Sequence, residues 1–63
     1  MAKTDVKVKL VGEDGNAFAI LGAVSKALKR AGHKDLVDEF MAEATSGDYD
    51  HLLATCMDYV EVE

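Results

Sequence analysis

Asp5-Val6-Lys7-Val8-Lys9-Leu10-Val11 decides the fold, because it alternates: Val6, Val8 and Leu10 fall on one side, and Lys7 and Lys9 on the other. A period of two is that of a strand with one face buried. Gly12-Glu13-Asp14-Gly15-Asn16 ends the run, with two glycines that permit turn geometry and an Asn16 side chain suited to capping the next helix. From Ala17 the period changes. Ala17, Ile20, Leu21, Val24, Ala27, Leu28 and Ala31 repeat at i, i+3, i+4 and i+7, which predicts a helix. Gly32 stands where a left-handed residue closes such a helix.

Beyond Gly32 the pattern predicts two more helices. Asp35 is placed to cap the second, with Asp38 and Glu39 in its first turn and Leu36, Val37, Phe40, Met41 and Ala44 on its apolar side. Thr45-Ser46-Gly47 interrupts it. Asp48 or Ser46 then caps a third helix, whose apolar stripe reads Tyr49, Leu52, Leu53, Cys56 and Met57. The tail Tyr59-Val60-Glu61-Val62-Glu63 alternates like the first strand, although Val60 also extends the helical stripe; we take it as a strand.

Two alternating ends invite pairing. Val60 and Val62 would then join Val6, Val8 and Leu10 over the helices, and Lys7 and Lys9 would face Glu61 and Glu63, each opposed pair contributing about 0.2–1 kcal/mol. Three helices between the strands make a parallel pair the simpler topology. The expected fold is therefore α+β: one domain over residues 1–63, β-α-α-α-β, with the helices on one face of a two-stranded sheet. Such a sheet leaves its edges open, and pairing with a second copy is one route to a homodimer.

Charge follows the same division. Seven cations and three acids precede residue 35, and nine acids with no cation lie from Asp35 onward, leaving +4 against −9 for a net charge of −5. A chain so polarised folds its halves together or presents two unlike faces. At 63 residues it buries about 60% of its unfolded surface, so its core is small. The single cysteine, Cys56, excludes an internal disulfide and fits a reducing compartment, hence a cytoplasmic protein. The apolar run Ala17 to Val24 is far short of the ~20 residues that span a bilayer, so no membrane association is expected.

Val8-Lys9-Leu10-Val11-Gly12-Glu13-Asp14-Gly15-Asn16-Ala17-Phe18-Ala19-Ile20-Leu21-Gly22 and Glu43-Ala44-Thr45-Ser46-Gly47-Asp48-Tyr49-Asp50-His51-Leu52-Leu53 together resemble a group of short uncharacterised prokaryotic proteins. The resemblance spans nearly the whole chain. It implies a small stand-alone protein and supplies no site residue.

Motifs for chemistry are incomplete. A strand, glycine loop and helix from Leu10 to Ala17 is the layout of a phosphate loop, yet neither G-x-G-x-x-G nor G-x-x-x-x-G-K-[ST] is present, and Glu13 and Asp14 would repel an anion. Asp14-Gly15-Asn16 lacks the remaining ligands of a calcium loop. Asp48, His51 and Thr55, at i, i+3 and i+7, bring a carboxylate, an imidazole and a hydroxyl to one helix face, where a cap and a solvated surface account for them without a relay. Cys56 lies about 140° around the helix from His51, cannot share a metal with it from that helix, and reads as a small buried hydrophobe. We read no metal, no cofactor and no enzyme.

Surface patterns carry more. Lys26, Lys29, Arg30, His33 and Lys34 would line one side if helical geometry continued past Gly32, giving a basic patch that offsets the helix dipole or meets nucleic acid or an acidic protein. Asp35, Asp38, Glu39, Glu43, Asp48, Asp50 and Asp58 give the later helices an acidic exterior. Phe18, Ala19, Gly22, Ala23 and Ser25 extend the apolar or small character of the first helix past its main stripe, so Phe18 and Gly22 mark a surface for self-association. The expected function is a non-enzymatic protein-protein interaction module working through charged surfaces as a homodimer, its partner unidentified. The alternative is a nucleic-acid-binding accessory protein using the basic patch.

Overall fold

The two alternating ends do pair, over a shorter length than the alternation itself. The computed structural model describes residues 2–10 and 16–63. Its elements are β1 (Lys7–Val8), α1 (Ala17–Arg30), α2 (Lys34–Ala44), α3 (Tyr49–Tyr59) and β2 (Glu61–Val62). β1 and β2 form a parallel two-stranded sheet, with Lys7 opposite Glu61 and Val8 opposite Val62. The three helices pack together, α1 also meeting β1 and α3 meeting β2. The turn expected at Gly12 to Gly15 lies outside the described residues, as do the phosphate-loop and calcium-loop motifs that depend on it.

Hydrogen bonds carry the pairing past the formal strands. Lys3 and Thr4 donate backbone amides to the carbonyls of Asp58 and Tyr59, and Glu61 and Glu63 donate theirs to Val6 and Val8. Tyr59, assigned to the tail by the alternation, is instead the last residue of α3. Val60 makes the transition, its backbone extended at φ −135° and ψ 163° while its amide still bonds Cys56. The helix therefore takes one residue from the expected strand.

Helix ends follow local chemistry. Asn16 caps α1 by accepting from the Phe18 amide at 2.8 Å. Gly32, at φ +86°, closes it in a Schellman arrangement: the His33 amide reaches the Leu28 carbonyl and the Gly32 amide that of Lys29. This tight closure shifts the next helix forward. α2 starts at Lys34 behind His33, which makes no side-chain cap, and Asp35 lies inside the first turn rather than before it. Asp48 caps α3, accepting from the His51 amide at 2.9 Å.

The core collects Val8 from the sheet, Ile20, Leu21, Val24 and Leu28 from α1, Val37, Phe40 and Ala44 from α2, and Leu52, Cys56, Tyr59 and Val60 from the last part of the chain. Phe40 and Tyr59 meet edge to face, their centroids 5.4 Å apart. On α3 the buried side is Leu52, Thr55, Cys56 and Tyr59, turned by roughly 80° from the expected stripe at 100° per residue. Tyr49 and Met57 are consequently exposed. Val62, expected over the helices, is 40% exposed, whereas Val60 is buried.

Candidate functional site

The basic patch divides at Gly32. Lys26, Lys29 and Arg30 stand exposed on α1, with the latter two in its last turn, where cations offset the dipole. The chain then turns, so the line does not run on along one helix. His33 sits half-buried in the corner, and Lys34 is exposed at the start of α2. Among the described residues none of these five belongs to an ion pair.

Phe18 lies on the outer side of α1 and is 83% exposed. A methyl group built at Gly22 meets nothing within 4 Å, so the flank next to Phe18 is open. Ser25 continues that side toward α2, its hydroxyl 3.4 Å from the Met41 sulfur. The residues singled out for self-association are thus at the surface, with the helix's main stripe inside.

Asp48, His51 and Thr55 do come together: Asp48 and His51 Nε2 bond groups at the turn between α2 and α3, and Thr55 bonds within α3. The carboxylate of Asp48 is the cap already described. His51 Nε2 lies 2.9 Å from the Glu43 carbonyl, 3.0 Å from Glu43 Oε2 and 3.1 Å from Ser46 Oγ, so the ring bridges the end of one helix to the start of the next. Thr55, which is buried, returns its hydroxyl to the His51 carbonyl at 2.8 Å. Gly47 leaves room for the imidazole: a Cβ there would fall 2.8 Å from His51 Cβ and Cγ. Cys56 is fully buried, and burial pushes its thiol pKa up, away from the reactive thiolate. Among the described residues no three His, Cys, Asp or Glu side chains converge to hold a metal ion.

Two arrangements had no separate signal in the sequence. One is a staple between the chain's beginning and α2. Lys3 Nζ lies 2.7 Å from Glu39 Oε2 and 4.7 Å from the centroid of the Tyr59 ring, while the Tyr59 hydroxyl donates to the same carboxylate oxygen at 2.6 Å. Hydrogen bonding to Lys3, then to Tyr59, holds the Glu39 carboxyl below its usual range; the bond to Glu39 raises Lys3; burial, then Glu39, raises the Tyr59 phenol. The division of charge allowed either contact between the halves or two unlike faces, and it did not identify this pair.

The second arrangement is an apolar surface beside β2. A cavity of about 570 Å³ has Ala2, Thr4, Asp5, Met57, Val60 and Glu61 in its wall. Another of about 360 Å³ is lined by Leu10, Leu53, Met57, Val62 and Glu63. Met57, 58% exposed, and Val62 line both and join them into one groove. Every charged residue in its wall is acidic, and Asp5, Glu61 and Glu63 form no ion pair among the described residues. No described helix is long and apolar enough to cross a membrane. Comparison with protein-family models, curated proteins and solved structures returns no match to this chain.

Proposed function

We propose that the chain is a non-enzymatic protein-protein interaction module, cytoplasmic, acting by surface contact and associating with a second copy of itself through the outer side of α1. The observation that carries this reading is Phe18, left 83% exposed in a chain with little apolar surface to spare. Gly22 beside it lets a second backbone approach. The lone thiol inside the core fits a reducing compartment. Contact rather than chemistry is supported by the Asp48, His51 and Thr55 group: Asp48 caps α3, His51 Nε2 bonds the end of α2, and Thr55 bonds the backbone of its own helix.

Sedimentation equilibrium over a hundredfold concentration range tests the self-association. Wild type is expected to form dimers that Phe18→Ser reduces to monomers, with helix content retained in both. A wild type that stays monomeric throughout contradicts the homodimer.

A second reading, nucleic-acid binding, draws on the exposure of Lys26, Lys29, Arg30 and Lys34 and on their freedom from ion pairs among the described residues. It requires retention of RNA or DNA that falls steeply with salt and is lost in a Lys29→Glu, Arg30→Glu variant. No retention at low salt eliminates it.

A further inference from the structure

We infer that the outer edge of β2, with the apolar groove beside it, takes an extended segment of a partner protein in which apolar and basic residues alternate. The inference rests on the proposed contact function and gives one contact a place and a chemistry.

The edge follows from hydrogen-bond parity. Glu61 and Glu63 turn their amides toward Val6 and Val8 of the neighbouring strand. In a parallel ladder the residue between them points its amide and carbonyl the other way, so Val62 presents a donor and an acceptor on the side away from β1. An extended peptide satisfies such an edge by adding a strand, with affinity from the main chain and specificity from alternate side chains.

The flanking side chains set that specificity. On one side of the strand, Val62 and Met57 together with Leu10 and Leu53 offer apolar contact. On the other, Glu61 and Glu63 offer charge that is unpaired among the described residues. The complementary strand carries an apolar residue, then a cation, then an apolar residue. β2 already accepts that pattern on its inner edge, where Val6-Lys7-Val8-Lys9-Leu10 lies with Lys7 opposite Glu61 and Val8 opposite Val62.

The same chemistry argues against a second copy at this edge. Antiparallel pairing of two β2 strands about Val62 sets Glu61 of one against Glu63 of the other, and like charges directly opposed destabilise a pair. Two β1 strands would confront Lys7 and Lys9 in the same way. Joining β1 of one copy to β2 of another matches charge but does not close, and builds an open chain of molecules. A separate segment satisfies the edge without either penalty.

The test uses the full chain and three end-blocked fluorescent octapeptides: alternating valine and lysine, the same composition with the four valines first, and alternating valine and glutamate. Anisotropy at low salt is expected to show the first binding at least ~10-fold tighter than the other two, with affinity weakening as salt rises. Met57→Lys and Val62→Pro should each weaken it by at least ~10-fold, the former because it adds a like charge to an exposed groove without disturbing the core. Equal binding of both valine-lysine peptides, or undiminished binding to a folded Met57→Lys variant, overturns the inference. Peptide binding that fails while Phe18-dependent dimers persist refutes this site alone. Binding to a chain that remains monomeric refutes the homodimer alone, and failure of both removes the support for a contact module.

Discussion

Tyr59 and Met57 stand two residues apart in the last turn of α3 and meet opposite surroundings. Tyr59 is buried, packs edge to face on Phe40, and uses its hydroxyl to hold Glu39, which in turn holds Lys3. Met57 faces outward, 58% exposed, in a groove with acidic charge at its rim. One side of the turn closes the molecule; the other is left available. In a small chain the difference teaches where the folding energy was concentrated, because a 63-residue protein holds only about 3–9 kcal/mol in all.

The strongest way to break the contrast is Tyr59→Ala. It removes a buried ring and the anchor of the chain's beginning, and should cost about 3–5 kcal/mol, enough to leave much of the protein unfolded at 37 °C in a urea titration. Loss below 1 kcal/mol would mean that the ring does not hold the core together. Tyr59→Phe keeps the ring and deletes only the hydroxyl, with an expected cost of about 1 kcal/mol by the same measurement.

Acid and alkali sharpen the comparison on the Tyr59 side. Glu39 titrates below its ordinary range when folded, so its contribution is present above about pH 4.3 and disappears as pH falls through the lower folded value. Lys3 and Tyr59 titrate above their ordinary values, so their contributions are present below about pH 10 and disappear as pH rises through the folded values. Thermal unfolding of wild type should therefore fall off at both extremes, and Lys3→Met should fall off less at each. Parallel curves for the two proteins would show that the staple contributes nothing in solution. The smallest effect belongs to Met57→Ser, which should change stability by no more than about 0.5 kcal/mol, as suits an exposed position.

How much of this was legible in the sequence follows from what each signal measures. The alternation at Val6 to Leu10, the helical repeat from Ala17 and the left-handed glycine at position 32 each describe a local choice of backbone, and each element formed where its pattern lay. Counting elements made a parallel pair only the simpler of two topologies, and the structure adopts it. The orientation of α3 was not legible, because Thr55 and Tyr59 are amphipathic and their burial depends on what covers them. Tyr59 also satisfied two patterns, and the helix took it because its ring reached Phe40 and its hydroxyl reached Glu39. The exposure of Met57 is the complement of that rotation: a residue assigned to the interior by hydropathy became surface when the helix turned, beside Val62 of β2. The basic cluster at Lys26, Lys29, Arg30, His33 and Lys34 was readable as composition, but its expected line ended at the Schellman turn.

The central claim is that β2 has one edge engaged and the other open, and amide hydrogen exchange of the free protein tests it residue by residue. The amides of Glu61 and Glu63, bonded to Val6 and Val8, should be protected at least ~10-fold more than that of Val62 between them. Uniform protection across the three, or a Val62 amide slower than its neighbours, would contradict the account.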